Sequence, residues 1–292
     1  MGKLRLQKDE LSNSKEGGQM KFGFVIQGPD MECGPLALMS GSFEEKLLKA
    51  RQWGYDGIEL MVRDPTLIDW EKLKTAVTSA GLEIPQIVTG ELYGSDGLCL
   101  VTDNEKIRLA CHDRVRRVID LAEFLKTMVN MGRLRGRLDF LNGVKDRLAI
   151  AHQYLQPIFR YALDKGVRIT LEPLNRYESD FINSASDAIK FITDGGYDNV
   201  GIMLDTFHMN IEEHTFEDGF HTAGDKLWHV HIADSNRRYP GSGHIDFSQP
   251  FNTLKEMNYS AYVSAELLPL PDPDTAAKET INFMKRIQFN HS

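Results

Sequence analysis

The chain has 292 residues, of which 41% are hydrophobic and 26% are charged, with a formal net charge of −8. This length suits one large domain, and interspersed charges with an acidic balance argue against a surface built for nucleic acid or anionic lipid. No apolar run approaches the roughly 18 residues of a membrane span, and the N-terminus lacks the apolar core of a signal peptide. We therefore expect a cytoplasmic protein with a small-molecule partner, without a nucleic-acid or membrane partner.

The N-terminal segment and the three cysteines give two further expectations. Residues 1–20 are polar and precede the first apolar run, so we expect a flexible leader there and the folded catalytic domain at 21–292. Cys33, Cys99 and Cys111 include no CxxC pair, and an odd count fits reduced thiols better than a disulfide framework.

From residue 21 onward, short β-branched runs alternate with longer segments of helical period, which predicts βα units around a parallel sheet. The predicted strands are FGFVIQ (22–27), GIELM (57–61), EIPQIV (83–88), TMVNM (127–131), VRITLE (167–172), VGIMLD (200–205), LWHVHI (227–232) and AYVSAE (261–266). The clearest predicted helices are 43–53, 70–80, 104–125 and 146–165, and three of them stop at a glycine, at Gly54, Gly81 and Gly166. The fourth strand is the least regular, and its residues are also compatible with the end of the preceding helix.

Eight strands over residues 21–292 give about 34 residues per unit, a length that holds one strand, one helix and two loops. A nucleotide-binding open sheet would instead need a G-x-G-x-x-G turn after the first strand, where this chain has GPDMECG. We therefore predict one α/β domain, a single (β/α)8 TIM barrel.

Four potential metal ligands stand at the ends of the last four predicted strands: Glu172, Asp205, His231 and Glu266. Strand ends of a barrel surround one mouth, so side chains from consecutive strands converge there. Three carboxylates and an imidazole without a thiolate favour one divalent ion over a structural zinc site, with Mn²⁺ ahead of Mg²⁺ or Co²⁺. Taken singly, each residue also has an ordinary role open to it, as a helix cap, a core histidine or a salt bridge at the rim.

Strand geometry predicts what lies beneath this group, because residues two apart on a strand share a face. The layer below is expected to consist of Thr170, Met203, His229 and Ser264. We expect His229 to support the site and not to bind the metal.

Four motifs carry a family resemblance: LEPLNRYE, MLDTFHM, HVHIADSNRRYPGSGHIDF and SAELL. Together they resemble the xylose isomerase-like TIM barrel superfamily of sugar isomerases and epimerases, and within it the D-tagatose 3-epimerase and D-psicose (allulose) 3-epimerase group. The likeness extends over most of residues 21–290. It implies that the four strand-end residues bind the metal, that Glu172 and Glu266 are also the acid/base pair, and that the protein is a homodimer or homotetramer.

The resemblance also implies the substrate contacts. His208 and Arg237 are expected on the polar atoms around the reacting carbon, and Glu178 at the terminal hydroxyl end of the sugar. Chemistry agrees with these roles, because a proton beside a ketone can be removed when a divalent ion stabilises the enediolate, and inversion needs one proton carrier on each face. We therefore expect epimerisation of ketoses or keto-sugar acids at C3 through a cis-enediolate.

The segment GRLRGR places Arg133, Arg135 and Arg137 after the fourth strand. Arginine binds carboxylate and phosphate in two-pronged fashion, so an acidic or phosphorylated sugar is one interpretation, and a solvated basic loop or an oligomer contact is the other.

Other activities use a similar barrel. An aldose–ketose isomerase acting on a sugar phosphate or a hydroxypyruvate-like substrate, or an inosose dehydratase-like enzyme, stays open, as does a barrel that only binds sugar. A different class, an endonuclease IV-like nuclease, would need further ligands, for which His244 and Asp246 are candidates, and a basic surface that the net charge of −8 opposes.

Overall fold

The computed structural model of the protein describes residues 19–31 and 38–289, the last of these by its main chain alone. Residues 1–18 of the expected leader, and Cys33, lie outside these ranges. Met20, within the described part of the expected leader, is buried against the core. Cys99 and Cys111 are buried free thiols.

Eight parallel strands, each paired with the next along the chain, form a barrel that the pairing of the first strand with the last closes. The strands are β1 (Lys21–Gln27), β2 (Glu59–Met61), β3 (Gln86–Val88), β4 (Met128–Met131), β5 (Ile169–Leu171), β6 (Val200–Asp205), β7 (Leu227–Ile232) and β8 (Tyr262–Ala265). The predicted (β/α)8 barrel is confirmed, including its least regular strand, β4.

Strands β2 and β3 begin later than their apolar patterns predict. Pro85 has no N–H to donate, so the ladder of β3 starts only after it. Before that point Gly57 and Glu83 form an isolated bridge and not a continuous ladder.

Helices surround the barrel. They are α1 (Phe43–Trp53), α2 (Trp70–Ser79), α3 (Gly90–Gly94), α4 (Glu105–Leu125), α5 (Arg147–Asp164), α6 (Ala185–Gly195), α7 (Thr206–Glu212), α8 (Phe216–Ala223), α9 (Ser248–Glu256) and α10 (Pro273–Phe289). The side chain of Ser42 caps α1 in a reciprocal pair with Glu45, and Gly54 ends that helix in the left-handed conformation with φ of 88°. Among the described residues, no helix is both long enough and apolar enough to cross a bilayer.

The core has two parts. The larger part lies between the barrel and its helices and contains most of the buried aliphatic side chains. A smaller apolar cluster, made of Val25, Met61 and Val88 with Met31 beside it, belongs to β1, β2 and β3 and the loop after β1. The C-terminal ends of β5 to β8 carry buried polar residues instead.

Candidate active site and metal centre

The four predicted ligands come together at the C-terminal mouth of the barrel. Glu172 follows β5, Asp205 ends β6, His231 lies in β7 and Glu266 follows β8. One ligand atom from each lies within 4.8 Å of the others. Consecutive strands of a closed barrel thus bring together residues that are distant in the chain.

Three of these side chains present polar atoms without partners. Glu172 Oε1, Asp205 Oδ2 and His231 Nδ1 are buried and have no hydrogen-bond partner among the described residues. Each such atom costs about 1–3 kcal/mol when it is left unsatisfied. Because these atoms belong to one group of oxygen and nitrogen ligands, the residues fit a divalent cation of the Mn²⁺, Mg²⁺ or Co²⁺ type.

The electrostatics of the group agree with this fit. Burial, together with the charge of Glu266, raises the pKa of Glu172 to about 8, and burial raises the pKa of Asp205 to about 6. Burial opposes protonation of His231, but Glu59 and the neighbouring carboxylates outweigh it and raise the pKa of His231 to about 10. The cluster therefore favours additional positive charge, which a divalent ion supplies.

The layer beneath the ligands is the one that strand parity predicts. All four expected residues are buried: Thr170, Met203, His229 and Ser264. Gln86 of β3 connects two of them, because its side-chain oxygen accepts from the Thr170 hydroxyl at 2.8 Å and its nitrogen lies 3.0 Å from the Met203 sulfur. His229 bonds to Glu59 of β2 and lies outside the four-ligand group, although with Glu59 and His231 it forms a second group that could hold a metal ion.

His208, predicted to contact substrate, points its Nε2 atom at the ligand group. That atom lies 3.8 Å from Glu172 Oε1 and 4.0 Å from Asp205 Oδ2. On the other side of the ring, the main-chain and side-chain nitrogens of Asn175 face Nδ1 at 3.2 and 2.8 Å. Burial and the charge of Arg237 hold the pKa of His208 well below its usual range, so the ring is neutral and carries its proton on Nε2.

Arg237 joins two other predicted site residues. It donates to Glu178 Oε1 at 2.8 Å and to Glu266 Oε2 at 3.2 Å. Its main chain has φ of 58°, and its amide donates to the carbonyl of Asp234 at 2.7 Å. The Asp234 carboxylate in turn accepts from three main-chain amides, those of Ser235, Gly241 and Ile245. This loop thereby fixes the guanidinium between two glutamates.

The contacts of Arg135 in GRLRGR fit neither of the two interpretations, an anion site or a solvated loop. Arg135 is fully buried and donates to the carbonyls of Gly132 and Glu172 at 2.9 and 2.8 Å. It also bonds to Ser179 Oγ and to the carbonyls of Phe181 and Ile182. Those contacts connect the loop after β4 with the loop after β5. The guanidinium of Arg135 is therefore bonded mainly to main-chain carbonyls.

The two neighbouring arginines lie in different surroundings. Arg137 forms a two-pronged pair with Asp139, at 2.9 and 2.7 Å. The guanidinium of Arg133 lies 5.7 Å from the ring centre of Tyr93. A shared role for all three side chains in binding one anion is therefore not supported by their contacts.

The proposed extra ligands of a nuclease also have other partners. His244 Nδ1 lies 3.0 Å from Ser235 Oγ, and the Asp246 carboxylate accepts from the main chain and hydroxyl of Ser248. Neither residue belongs to a potential metal-binding group within the described ranges.

Several residues that build the site were missed at the sequence level. A Cβ at Gly132 would come within 2.5 Å of Glu172 Oε2, so only glycine leaves room for that carboxylate. Asn130 donates to the same oxygen at 3.4 Å. Glu59 was also missed, although an acid within the apolar run GIELM is the same signal that identified Glu172.

The chain resembles known proteins along most of its length. Residues 47–287 match the family model described as Xylose isomerase-like TIM barrel. The 3-dehydro-D-guloside 4-epimerase of Escherichia coli (strain K12) is 32% identical over 82% of this chain and 93% of its own. A D-psicose 3-epimerase of Agrobacterium fabrum is 43% identical, but that alignment spans only 36% of this chain and 37% of the relative.

The solved structure of an L-ribulose 3-epimerase superposes with a TM-score of 0.77 at 25% identity, and the match covers 91% of this chain and 94% of that one. These relatives are sugar epimerases by name, as the motifs indicated. The chain belongs to the xylose isomerase-like TIM barrel family.

Proposed function

We propose that this protein is a metal-dependent sugar epimerase that inverts C3 of a ketose by proton exchange through a cis-enediolate. The observation that carries the proposal is the convergence of buried, unpartnered atoms of Glu172, Asp205 and His231 on one point beside Glu266. A ketose 3-epimerase also agrees with the sugar epimerases to which the chain is related. Mn²⁺ is our first choice of metal, and a homodimer or homotetramer our expected assembly.

The metal site has a stated chemical purpose in this proposal. Glu172, Asp205, His231 and Glu266 would hold the ion, which supplies Lewis-acid stabilisation of the negative charge that develops on the substrate oxygens. The protein side chains supply the rest of the chemistry.

Proton exchange falls to the two glutamates. Glu172 follows β5 and Glu266 follows β8, with β6 and β7 between them, so their carboxylates approach the substrate from different strands. One removes the proton from the carbon beside the carbonyl, and the other returns a proton to the opposite face of the planar intermediate. The raised pKa of Glu172, about 8, suits a group that must hold a proton in one direction and release it in the other.

Three further side chains orient the sugar in this mechanism. The neutral His208 offers an N–H donor from Nε2 beside the ligand group, which suits an oxygen on the reacting carbon or its neighbour. Arg237 holds Glu266 and Glu178 at fixed separation, and Glu178 is the proposed acceptor for a hydroxyl at the end of the sugar.

An uncharged ketose is the substrate that the arginine contacts favour. Arg135 donates to main-chain carbonyls and Arg137 to Asp139, so two of the three arginines considered for a keto-sugar acid already bond to other groups of the protein. A keto-sugar acid thus becomes the second substrate class to test.

A second function has specific support. The E. coli relative that aligns over 82% of this chain is named a 4-epimerase of a 3-dehydro sugar. Both reactions invert the carbon beside a carbonyl, so the same two glutamates serve either one. The position of the carbonyl in the sugar decides which carbon is inverted.

The test is turnover in deuterated water with added Mn²⁺. The panel contains D-fructose, D-psicose, L-ribulose, a 3-keto glucoside and a keto-sugar acid. We expect the ketoses to give their C3 epimers with one solvent deuteron at C3.

Each other outcome has a clear meaning. Epimers without deuterium contradict proton exchange, deuterium at C4 of the 3-keto glucoside alone identifies the second function, and an aldose product identifies an isomerase. If no substrate of the panel reacts with or without Mn²⁺, the proposed function is wrong.

A further inference from the structure

A carboxylate in the middle of the barrel bridges two histidines, and one of them is a proposed metal ligand. We propose that Glu59 is a positioning residue for the metal centre, which keeps the proton of His231 on Nε2 so that Nδ1 presents its lone pair to the ion. This inference rests on the metal site proposed above, and it adds a residue on the opposite side of the barrel to that site.

The contacts of Glu59 are short and fully enclosed. Its Oε1 lies 2.5 Å from His229 Nε2, and its Oε2 lies 2.9 Å from His231 Nε2. Oε2 also accepts from the side-chain nitrogen of Gln86 at 2.8 Å. Glu59, His229, His231 and Gln86 are each 0% exposed, so no water competes for these bonds.

Hydrogen counting then fixes the protons. The carboxylate of Glu59 is surrounded by three nitrogens, those of His229, His231 and Gln86, and it is placed to accept a hydrogen bond from each of them. An ionised carboxylate only accepts hydrogen bonds, so each ring nitrogen that faces it carries a proton. For His231 this makes Nδ1 the nitrogen that can release its proton and offer a lone pair to an ion, and Nδ1 is its buried atom without a partner among the described residues.

Gln86 determines the orientation of this arrangement. The Thr170 hydroxyl donates to Gln86 Oε1 at 2.8 Å, which turns the amide nitrogen of Gln86 toward Glu59. That nitrogen lies 3.3 Å from His231 Nε2, and two donors so placed share one acceptor, Glu59 Oε2. A carboxylate that orients a metal-binding histidine typically changes metal affinity by about 10- to 100-fold when it is removed.

Glu59, His229 and His231 could in principle be read as a second metal site, since their ligand atoms also lie within 4.8 Å of one another. The distances from Glu59 to the two histidines contradict a second metal site. An ion bound at about 2.1 Å from each ligand in tetrahedral geometry would hold those atoms more than about 3 Å apart. The observed 2.5 and 2.9 Å are hydrogen-bond lengths.

Two substitutions separate proton placement from charge and from volume. Glu59→Leu removes the acceptor and keeps much of the volume. Glu59→Gln keeps an oxygen acceptor, and the fixed amide nitrogen of Gln86 requires that oxygen on the His231 side. The new amide nitrogen then faces His229, which changes its own tautomer without touching the ligand group.

The measurement is calorimetric titration of metal-stripped protein with Mn²⁺ in the absence of any sugar. We expect one equivalent in the wild type, a loss of affinity of about 10- to 100-fold in Glu59→Leu, and a loss below about tenfold in Glu59→Gln. Proton–nitrogen correlation spectra of the histidine side chains, recorded with saturating diamagnetic Mg²⁺, should place the His231 proton on Nε2 in the wild type and in Glu59→Gln.

The contrary results are distinct. Equal losses in the two variants would assign the effect to negative charge and overturn the proposal, as would wild-type affinity in a folded Glu59→Leu. Two equivalents in the wild type that become one in both variants would show a second metal site instead. If Glu59→Leu does not fold, as judged by circular dichroism, a His231 proton on Nδ1 in the Mg²⁺-loaded wild type overturns the proposal by itself.

The result does not depend on turnover. Because no sugar is present, a failed substrate panel leaves the outcome unchanged. Absence of Mn²⁺ and Mg²⁺ binding to the wild type would remove the metal site itself, and with it both this inference and the proposed function.

Discussion

The two sides of the barrel mouth differ in polarity. The four candidate ligands lie at the ends of β5 to β8, and the apolar cluster of Val25, Met61 and Val88 lies near the ends of β1 to β3. The polar side gathers charge where the reaction is proposed to occur. The apolar side provides a surface without metal-binding groups, so a sugar bound between the two sides would contact reactive polar groups on one side and apolar side chains on the other.

One layer below the mouth, polar residues lie on β2 and β3, two of the strands that carry the apolar cluster at the mouth. Glu59 and Gln86 lie beneath Met61 and Val88 on the same faces of β2 and β3, and their polar atoms reach His229, His231 and Thr170 on the other side. The apolar side of the mouth therefore has polar residues underneath, and these residues make hydrogen bonds to the strands opposite. The candidate site therefore depends on the whole barrel and not on four strands alone.

The largest expected effect separates two glutamates, one on each side of the mouth. Glu266→Gln should reduce kcat by about 10²- to 10⁴-fold, because it removes a proposed proton carrier. The matched control is Glu91→Gln, which changes a buried glutamate in α3 after β3 that bonds to Ser95. We expect the control to keep most of the activity. Comparable losses in both variants, measured with the best substrate of the panel, would contradict the division of the mouth.

Metal removal should lower the free energy of unfolding, because the ion is proposed to bind only to the residues on the polar side of the mouth. Mn²⁺ at 100 times its Kd adds about 2.7 kcal/mol to the free energy of unfolding, and this raises Tm by several degrees in a chain of this size. Thermal melts of stripped and Mn²⁺-loaded protein measure the shift. Asp205→Asn, which weakens one ligand, should show a smaller rise. An equal rise in that variant would place the bound ion elsewhere.

Glycines on the two sides should respond differently to the same added methyl group. Gly132→Ala puts a Cβ within 2.5 Å of Glu172 Oε2 and should displace the carboxylate, with a loss of kcat/KM of about 10²-fold. Gly90→Ala, after β3, adds a Cβ with nothing within 4 Å and should leave kcat/KM close to wild type. If Gly132→Ala keeps full activity, the position of Glu172 Oε2 is not critical.

The smallest effect is expected on the apolar side. Val88→Ala enlarges the proposed wall and should raise KM by about tenfold, while the position of the incorporated deuterium stays the same. Val230→Ala of β7 is the control, because its neighbours His229 and His231 face the interior and Val230 packs in the outer core. We expect the control to lower Tm without changing KM. A lower kcat in Val88→Ala with unchanged KM would mean that the apolar cluster does not contact substrate.

The barrel and the convergence of the four candidate ligands were predictable because both follow from short-range patterns. Alternating strand and helix periods predict the βα units, and an acid or a histidine at the end of an apolar strand predicts a side chain at the mouth. Strand parity then predicts the layer beneath, as Thr170 and His229 confirm.

The remaining parts depend on pairings that no local pattern contains. Glu59 and His229 are separated by 170 positions in the chain and meet only because the barrel closes. The role of Arg135 depends on the main-chain carbonyls of two loops, whose directions follow from loop conformation and not from residue type. An arginine in a basic segment therefore resembled an anion site until its partners were known.

The bridge from Glu59 to His231 has a consequence for assembly of the protein. Its two ends belong to the first and second halves of the chain, and Asn130 of β4 adds a second contact, from the first half to Glu172. A C-terminal half that carries all four ligands would still lack the groups that hold two of them in place. If the four residues bind an ion, metal affinity therefore reports whether the N-terminal half of the chain has packed against the C-terminal half.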